Sequence, residues 1–428
     1  MASFGGTVAP GWEKVRQAFV ENLENTEEVG AGVAVYHRGQ KVVDLWGGAF
    51  DESASQPYTQ DTLQLVFSTT KGITAIAVAI CVERGLLSYD EKVSTYWPEF
   101  AQAGKGDATV AQLLSHQCGL YTVDGDISLA EALDWSTITS RLAATKPRWE
   151  IGTNHGYHAL TYGWLAGELV RRVDPQHRSL GTFVQQEIVG RVGGELWIGL
   201  PEAQESRVSP MIGGLNSVPE DMDPAVKAMM EQFMGPNSPG GQALSLNGAF
   251  GVDGAFNRRD VHAAEIPAAN CITNAPSLAR IYAATIGDVD GVRLLASATV
   301  ETARTLVTPE NEPDACLIMP TTFGMGFMVH GPFSLFGGPG SFGHPGAGGS
   351  VAFALPEKEI GFAYVMNKMA TNLANDFRAQ RLAEAAVACA SASSREYKSH
   401  SQLPQHKRTP RWLDVLRSIL RRVRRARS

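Results

Sequence analysis

No C-x-x-C pair, no H-E-x-x-H, no phosphate-binding G-x-x-x-x-G-K-[ST] loop and no G-x-S-x-G element occurs in this chain. The last absence excludes an α/β-hydrolase nucleophile elbow at motif level. The five cysteines, Cys81, Cys118, Cys271, Cys316 and Cys389, are odd in number and widely scattered. That pattern fits buried thiols in a reducing compartment, not a disulfide framework or a zinc site. Apolar runs long enough to span a membrane are missing. The N-terminal Met-Ala-Ser-Phe-Gly-Gly-Thr has no basic stretch leading into an apolar one, as a signal peptide would. The expected location is therefore cytoplasmic. Hydrophobic residues make up 44% of the 428 positions, enough for a sizeable core without disulfides.

Positive charge is scarce in the body of the chain and concentrated at its end. From Arg395 to Ser428 there are eleven basic and two acidic residues, a net +9. The remainder carries 26 basic and 42 acidic residues, a net −16. An acidic body argues against a nucleic-acid partner. In the tail, Trp412, Leu413, Leu416, Ile419, Leu420 and Val423 recur at helical spacing among arginines. Two readings fit residues 411–427: a basic amphipathic helix making a peripheral membrane contact, or a solvated tail. Ser391 to Pro410 reads as a linker.

Periodicity predicts a helix carrying Val15, Phe19 and Leu23, then strands at 32–36 and 42–46 joined by a turn at Arg38-Gly39. The apolar run from Ile73 predicts a helix stopping at Arg84-Gly85. Helical patterns follow at 110–115, 129–144, 160–173 and 180–189. Residues 200–270 look irregular and lid-like. A further helix is expected over 276–285, strands over 323–329, 350–354 and 360–365, and a last helix carrying Phe377, Leu382 and Val387. Strands at both ends with helices between suggest one α/β (α+β) domain from 1–95 and 275–392. Residues 96–274 would then form a helical insertion and 393–428 the basic tail. Short links between the late strands predict antiparallel pairing.

Ser68-Thr69-Thr70-Lys71 opens the apolar helix. A hydroxyl and an amine three residues apart lie on one helix face, about a turn apart. The positive helix end and burial both disfavour a charged lysine, and a neutral lysine can take a proton from serine. The alternative is a serine cap followed by a surface lysine. Tyr157 precedes a helix, where a tyrosine is ordinarily core. Phe342 to Ser350 is glycine-dense, which lets a backbone N–H approach a ligand closely. Gly338 to Gly343 matches G-x-G-x-x-G, but His344-Pro345-Gly346 follows and no dinucleotide-binding helix can open there. His155 and His158 have i, i+3 spacing without an acidic partner, so no metal site is expected.

Taken together and in this order, these segments resemble the serine β-lactamase and penicillin-binding-protein superfamily. The similarity is greatest to its class C-like branch with the family VIII carboxylesterases, and it spans roughly residues 10–390. Leu113-Leu114-Ser115-His116 through Gly119-Leu120, Glu265 to Asn270 and Thr273-Asn274 also resemble segments of that branch. The resemblance implies a β-lactamase-like fold, an antiparallel sheet flanked by helices with a helical insertion domain. It implies Ser68 as acyl-accepting nucleophile, with Lys71 and Tyr157 as a coupled base pair. The backbone N–H groups of Ser68 and Ala347 would form the oxyanion hole, and His344 and Gly346 would contact substrate. No cofactor or metal is implied. Two departures stand out: Ala159 replaces the asparagine of Y-x-N, and His344 replaces the lysine of K-T-G. Both weaken recognition of an anionic β-lactam and favour neutral esters. A weak β-lactamase, a D-amino-acid peptidase, an acyltransferase or a non-catalytic scaffold are the alternatives.

Overall fold

The computed structural model describes residues 3–214, 231–370 and 375–401, with side chains described to Ser393. The tail residues 411–427 lie outside the described residues. Residues up to Cys389 form one unit and those from Ala390 another.

Strand β2 (Gly30–His37) is buried at every position, unlike a strand with one wet face. The reason is that helices cover both faces of its sheet. Gly32 and its cross-strand partner Trp46 share one face, where Ala275 of the helix Ala275–Ile286 approaches. The neighbouring Gly47 points the other way, toward Leu23 of helix α1 (Glu13–Asn25). The other strands of this sheet are β1 (Phe4–Val8), β3 (Gln40–Gly48), β8 (Met328–Val329), β9 (Phe342–Pro345), β10 (Val351–Leu355) and β11 (Ile360–Met366). Their order is β1-β3-β2-β11-β10-β9-β8. All pairings in it are antiparallel, as the short links predict. The β2–β3 turn uses Arg38 and Gly39, both at positive φ (52° and 75°).

A second, smaller sheet was not legible in the sequence. It joins β4 (Leu63–Leu65), β5 (Leu196–Trp197), β6 (Val208–Ser209) and β7 (Ile272–Thr273) in the order β5-β7-β4-β6. Strands of two or three residues carry no readable period; they exist because distant segments meet. β4 leads into the Ser68 turn.

Helix α2 (Thr70–Glu83) is the central helix of the molecule, buried from Thr70 to Cys81. It is apolar around its whole circumference, as a helix enclosed by others must be. It packs on the helix Thr161–Val173. Its end is a Schellman motif: Gly85 sits at φ 70°, its N–H reaches Val82 O at 2.9 Å, and Leu86 N–H reaches Cys81 O at 2.9 Å. The expected stop at Arg84-Gly85 is thus observed.

Three expectations are corrected. The pattern over 129–144 is two helices, Leu129–Leu133 and Trp135–Ala144, because Asp134 caps the second through Thr137 N–H at 2.8 Å. Within 323–329 only Met328 and Val329 join the sheet; Gly326, at φ 96°, bends the rest back so that Phe323 bridges to Met328. Phe342 to Pro345, expected as a glycine-dense loop, is strand β9, seated between β8 and β10. All five cysteines are buried and none forms a disulfide. No helix among the described residues is long and apolar enough to cross a membrane.

One packing contact is tight enough to test. A Cβ at Gly72 would overlap the Tyr282 hydroxyl, which is buried without a hydrogen-bond partner among the described residues. Gly72→Ala should therefore destabilise by about 1–3 kcal/mol despite alanine's better helix propensity. Tyr282→Phe removes the obstructing oxygen and should lie within about 1 kcal/mol of wild type. In that background the Gly72→Ala penalty should shrink, since the next atom, Tyr282 Cζ, stands 3.1 Å from the added carbon. Urea-unfolding midpoints of the four proteins test this; equal penalties in both backgrounds would refute it.

Candidate active site

Ser68 stands in a single 3-10 turn, Phe67–Thr69, that joins β4 to α2. Entry into this turn puts Phe67 at φ 43°, a strained conformation for a bulky residue. Hydroxyls on both sides hold it. Thr70 Oγ1 donates to Phe67 O at 2.5 Å and accepts from Cys271 N–H at 2.9 Å. Ser350 Oγ donates to Val66 O at 2.8 Å and lies 3.1 Å from Thr69 Oγ1.

Lys71, one turn further, is fully buried. Its Nζ lies 3.1 Å from Ser68 Oγ, 2.6 Å from Ala159 O and 3.0 Å from Ala268 O. Those three acceptors occupy the three positions of Nζ not bonded to carbon. Burial holds its pKa well below the usual lysine value. The Ala268 carbonyl is delivered by a loop that Asn270 folds. Asn270 Oδ1 accepts from Ile266 N–H at 3.0 Å, and its Nδ2 donates to Val261 O at 2.8 Å and Ala264 O at 2.6 Å. Pro267 O takes Thr74 Oγ1 at 2.6 Å, which docks the same loop onto α2. The 265–270 segment thus acts through backbone carbonyls.

Tyr157 brings its ring face to 4.7 Å from Lys71 Nζ. The ring stacks on Phe323 at 5.9 to 6.2 Å centroid range together with His344: 6.2 Å to Phe323 and 5.9 Å to His344. Burial pushes the phenol up from its ordinary value, while a hydrogen bond with Ser68 acts the other way. Its backbone N–H donates to Asp314 Oδ1 at 2.9 Å. Asp314 is buried and also accepts from Cys316 N–H, Leu317 N–H and Thr321 Oγ1. It thereby ties residues 314–321 to the Tyr157 segment, and nothing in the sequence marked it.

The histidines are structural in their contacts. His116 packs 5.3 Å from Tyr157, and its Nδ1 accepts from His158 N–H at 3.0 Å. His158 uses both ring nitrogens, on Leu120 N–H at 2.9 Å and Gly156 O at 2.6 Å. No cluster of His, Cys, Asp or Glu among the described residues suits a metal ion. His344, expected at the substrate, lies against Tyr157 with Nδ1 on Pro345 O at 2.7 Å. Burial, with Lys71 adding to it whenever that amine is protonated, holds its pKa well below the usual histidine range, so it is neutral at pH 7.

Ala347 begins another 3-10 turn, Ala347–Gly349, after β9. The leading N–H groups of such a turn have no acceptor within it. The N–H groups of Ser68 and Ala347 have no backbone acceptor among the described residues. Gly346 is the hinge that brings this turn up to Ser68: a Cβ there would overlap Val66 O and Ser350 Oγ. Its place is therefore close backbone packing.

Ser68, Ala159 and Ala347 line one cavity of about 590 Å³. Its walls are largely apolar, with Phe67, Leu160, Met211, Leu244, Phe250 and Phe256 prominent. Asp253 is the one charged residue lining it among the described residues, and neither His344 nor Gly346 does so. Much of the wall comes from residues 234–257, inside the stretch that reads as irregular.

A sequence profile of the family described as Beta-lactamase matches residues 15–387. "Esterase/beta-lactamase LipL" of Mycobacterium tuberculosis is 34% identical over 375 residues, covering 86% of this chain and 84% of that protein. A solved family VIII carboxylesterase superposes with a TM-score of 0.80 at 35% identity, covering 90% of this chain and 100% of the other. EstA from Arthrobacter nitroguajacolicus gives 0.79 at 33% identity, over 91% and 100%. Sequence, fold and site geometry agree: the chain belongs to the beta-lactamase family, as a serine hydrolase with esterase relatives.

Proposed function

We propose that this protein is a carboxylesterase that cleaves small, neutral, apolar esters through an acyl-enzyme on Ser68. The observation that carries this is the geometry at Lys71 Nζ. Two backbone carbonyls engage two of its N–H bonds, and the remaining position faces Ser68 Oγ at 3.1 Å. In the neutral amine that position holds the lone pair, which receives the serine proton as Oγ bonds to the ester carbonyl carbon. The carbonyl oxygen becomes an oxyanion that the N–H groups of Ser68 and Ala347 stabilise. As the C–O bond to the alcohol breaks, Lys71 and Tyr157 together return a proton to the leaving oxygen. Water then attacks the acyl carbon and gives a proton to the same pair, which passes it to Ser68 Oγ as the bond from Oγ to the acyl carbon breaks and the acid is released. Tyr157 stands with its ring centroid 4.7 Å from Nζ, close enough to share in these proton transfers.

Relatives of this chain include an esterase/beta-lactamase and a family VIII carboxylesterase, and the cavity favours the ester side. An anionic β-lactam would meet no cation among the described lining residues and would face Asp253. His344 is neutral and Ala159 offers a methyl group where an amide would hold the substrate. The apolar walls suit acyl or alkoxy groups of several carbons.

Ser68→Ala should abolish hydrolysis of short-chain nitrophenyl esters and labelling by a fluorophosphonate probe. Retained wild-type turnover in that variant would refute the assignment. Tyr157→Phe should lower kcat by about 10²- to 10⁴-fold. Nitrocefin turnover exceeding ester turnover would make the protein a β-lactamase instead.

The depressed Lys71 pKa sets the sign of the pH dependence. Protonation at low pH removes the base, so kcat/KM should rise with pH along one limb and level off. The midpoint of that limb should lie well below the ordinary lysine value of 10.5. Lys71→Arg should lose the limb and the activity, because a guanidinium stays protonated. A wild-type midpoint at or above 10.5 would exclude Lys71 as the base.

A further inference from the structure

Behind the Ala347–Gly349 turn lies a buried cluster of charges to which the chemistry above assigns no task. The turn passes through two left-handed glycines, Gly348 at φ 81° and Gly349 at φ 124°. Its base is closed by Gly346 N–H to Ser350 O at 2.6 Å. Its tip is held from outside. Gly348 O accepts from Ala370 N–H at 2.9 Å and from Arg378 Nη2 at 2.9 Å. Ala347 lies between these two anchors.

Arg378, near the start of the C-terminal helix Phe377–Ser401, is 3% exposed, and the bonds it makes orient its guanidinium. Nη2 also meets Asp376 Oδ2 at 2.7 Å, and Nε lies 3.2 Å from each Asp376 oxygen. Nη1 reaches Glu28 Oε1 at 3.1 Å and Lys368 O at 3.1 Å. Asp376 Oδ1 accepts the Arg378 backbone N–H at 2.8 Å, and Glu28 Oε2 accepts from the Tyr364 hydroxyl. The Asp376 carboxylate lies against the turn itself: a Cβ at Gly349 would overlap Oδ2. None of Glu28, Asp376 and Arg378 lines the cavity.

A buried guanidinium held by Asp376 and by Glu28, whose pKa burial pushes up to about 7, is an expensive way to hold a core together, and apolar side chains of similar volume often do as well or better. A planar, charged donor does what an apolar side chain cannot: it fixes the direction of one carbonyl. We propose that Arg378 and Asp376 are positioning residues. They clamp the Gly348 carbonyl and so aim the Ala347 N–H at the oxyanion, a role that rests on the proposed use of Ala347 as a donor. Neither touches substrate.

The test compares wild type with Arg378→Lys and Asp376→Asn on a nitrophenyl ester and on a trifluoromethyl ketone. The ketone forms a hemiketal with Ser68 whose oxygen occupies the oxyanion site, so its affinity reports the donors directly. Rates are normalised to the folded fraction from circular dichroism. Each variant should lose about 10- to 100-fold in kcat with KM within about threefold, and should lose ketone affinity in parallel. A purely structural role would lower the melting temperature and leave kcat per folded molecule and ketone affinity unchanged; that result overturns the clamp. Asp376→Asn is nearly isosteric and decides the matter if Arg378→Lys fails to fold. Wild type that neither cleaves esters nor binds the ketone would overturn the esterase reading and the clamp with it. Active wild type with unaffected variants overturns the clamp alone.

Discussion

A lysine side chain without access to water is the constraint around which this molecule is arranged. Lys71 Nζ is met by groups from residues 68, 159 and 268, three segments far apart in the chain. Burying an amine costs several kcal/mol unless its hydrogen bonds are made. Each loop that supplies a carbonyl is therefore held by its own network: Asn270 folds one, and the Tyr157 segment with Asp314 supports the other. The apolar α2 keeps water away and the carbonyls keep the amine in place. Desolvation then lowers the lysine pKa, as the proposed role of Lys71 as a base requires.

The second constraint is closeness. The turn at Ser68 and the turn at Ala347 come from opposite ends of the chain and meet with almost no room between them. Gly346 is required because any side chain there would overlap Val66 O. The strain at Phe67, of the order of 1–3 kcal/mol for such a conformation, persists because Thr70 and Ser350 tie down the atoms around it. The sheet supplies rigidity from below, with β9 seated between β8 and β10. A preorganised pair of N–H donors would need no reorganisation when charge develops, and the strained, crowded corner supports the proposed oxyanion role.

Much of the fold was legible. The β2–β3 hairpin, the stop of α2 at Gly85, the antiparallel sheet and the helices at 13–25, 161–173 and 275–286 follow from periodicity and turn residues. Family membership was legible from the order of Ser68-x-x-Lys71, Tyr157 and the His344 loop, and the family profile bears it out. The small sheet, strand β9 and the break at Asp134 were not. Two-residue strands have no period, glycine-rich strands look like turns, and one aspartate can cap a helix inside a continuous apolar pattern.

The sequence alone determined the candidate reactive groups and the elements that carry them. A serine and a lysine one turn apart at the head of an apolar helix need nothing distant to share a face. Only the tertiary structure decided what those groups experience. Desolvation of Lys71, the lowered pKa of His344 and the contacts of Asp314 with Tyr157 and of Arg378 with Gly348 all arise across tens to hundreds of residues. Local spacing sets which side chains can meet. The dielectric around them, and therefore their charge, is set by whatever the rest of the chain packs against them.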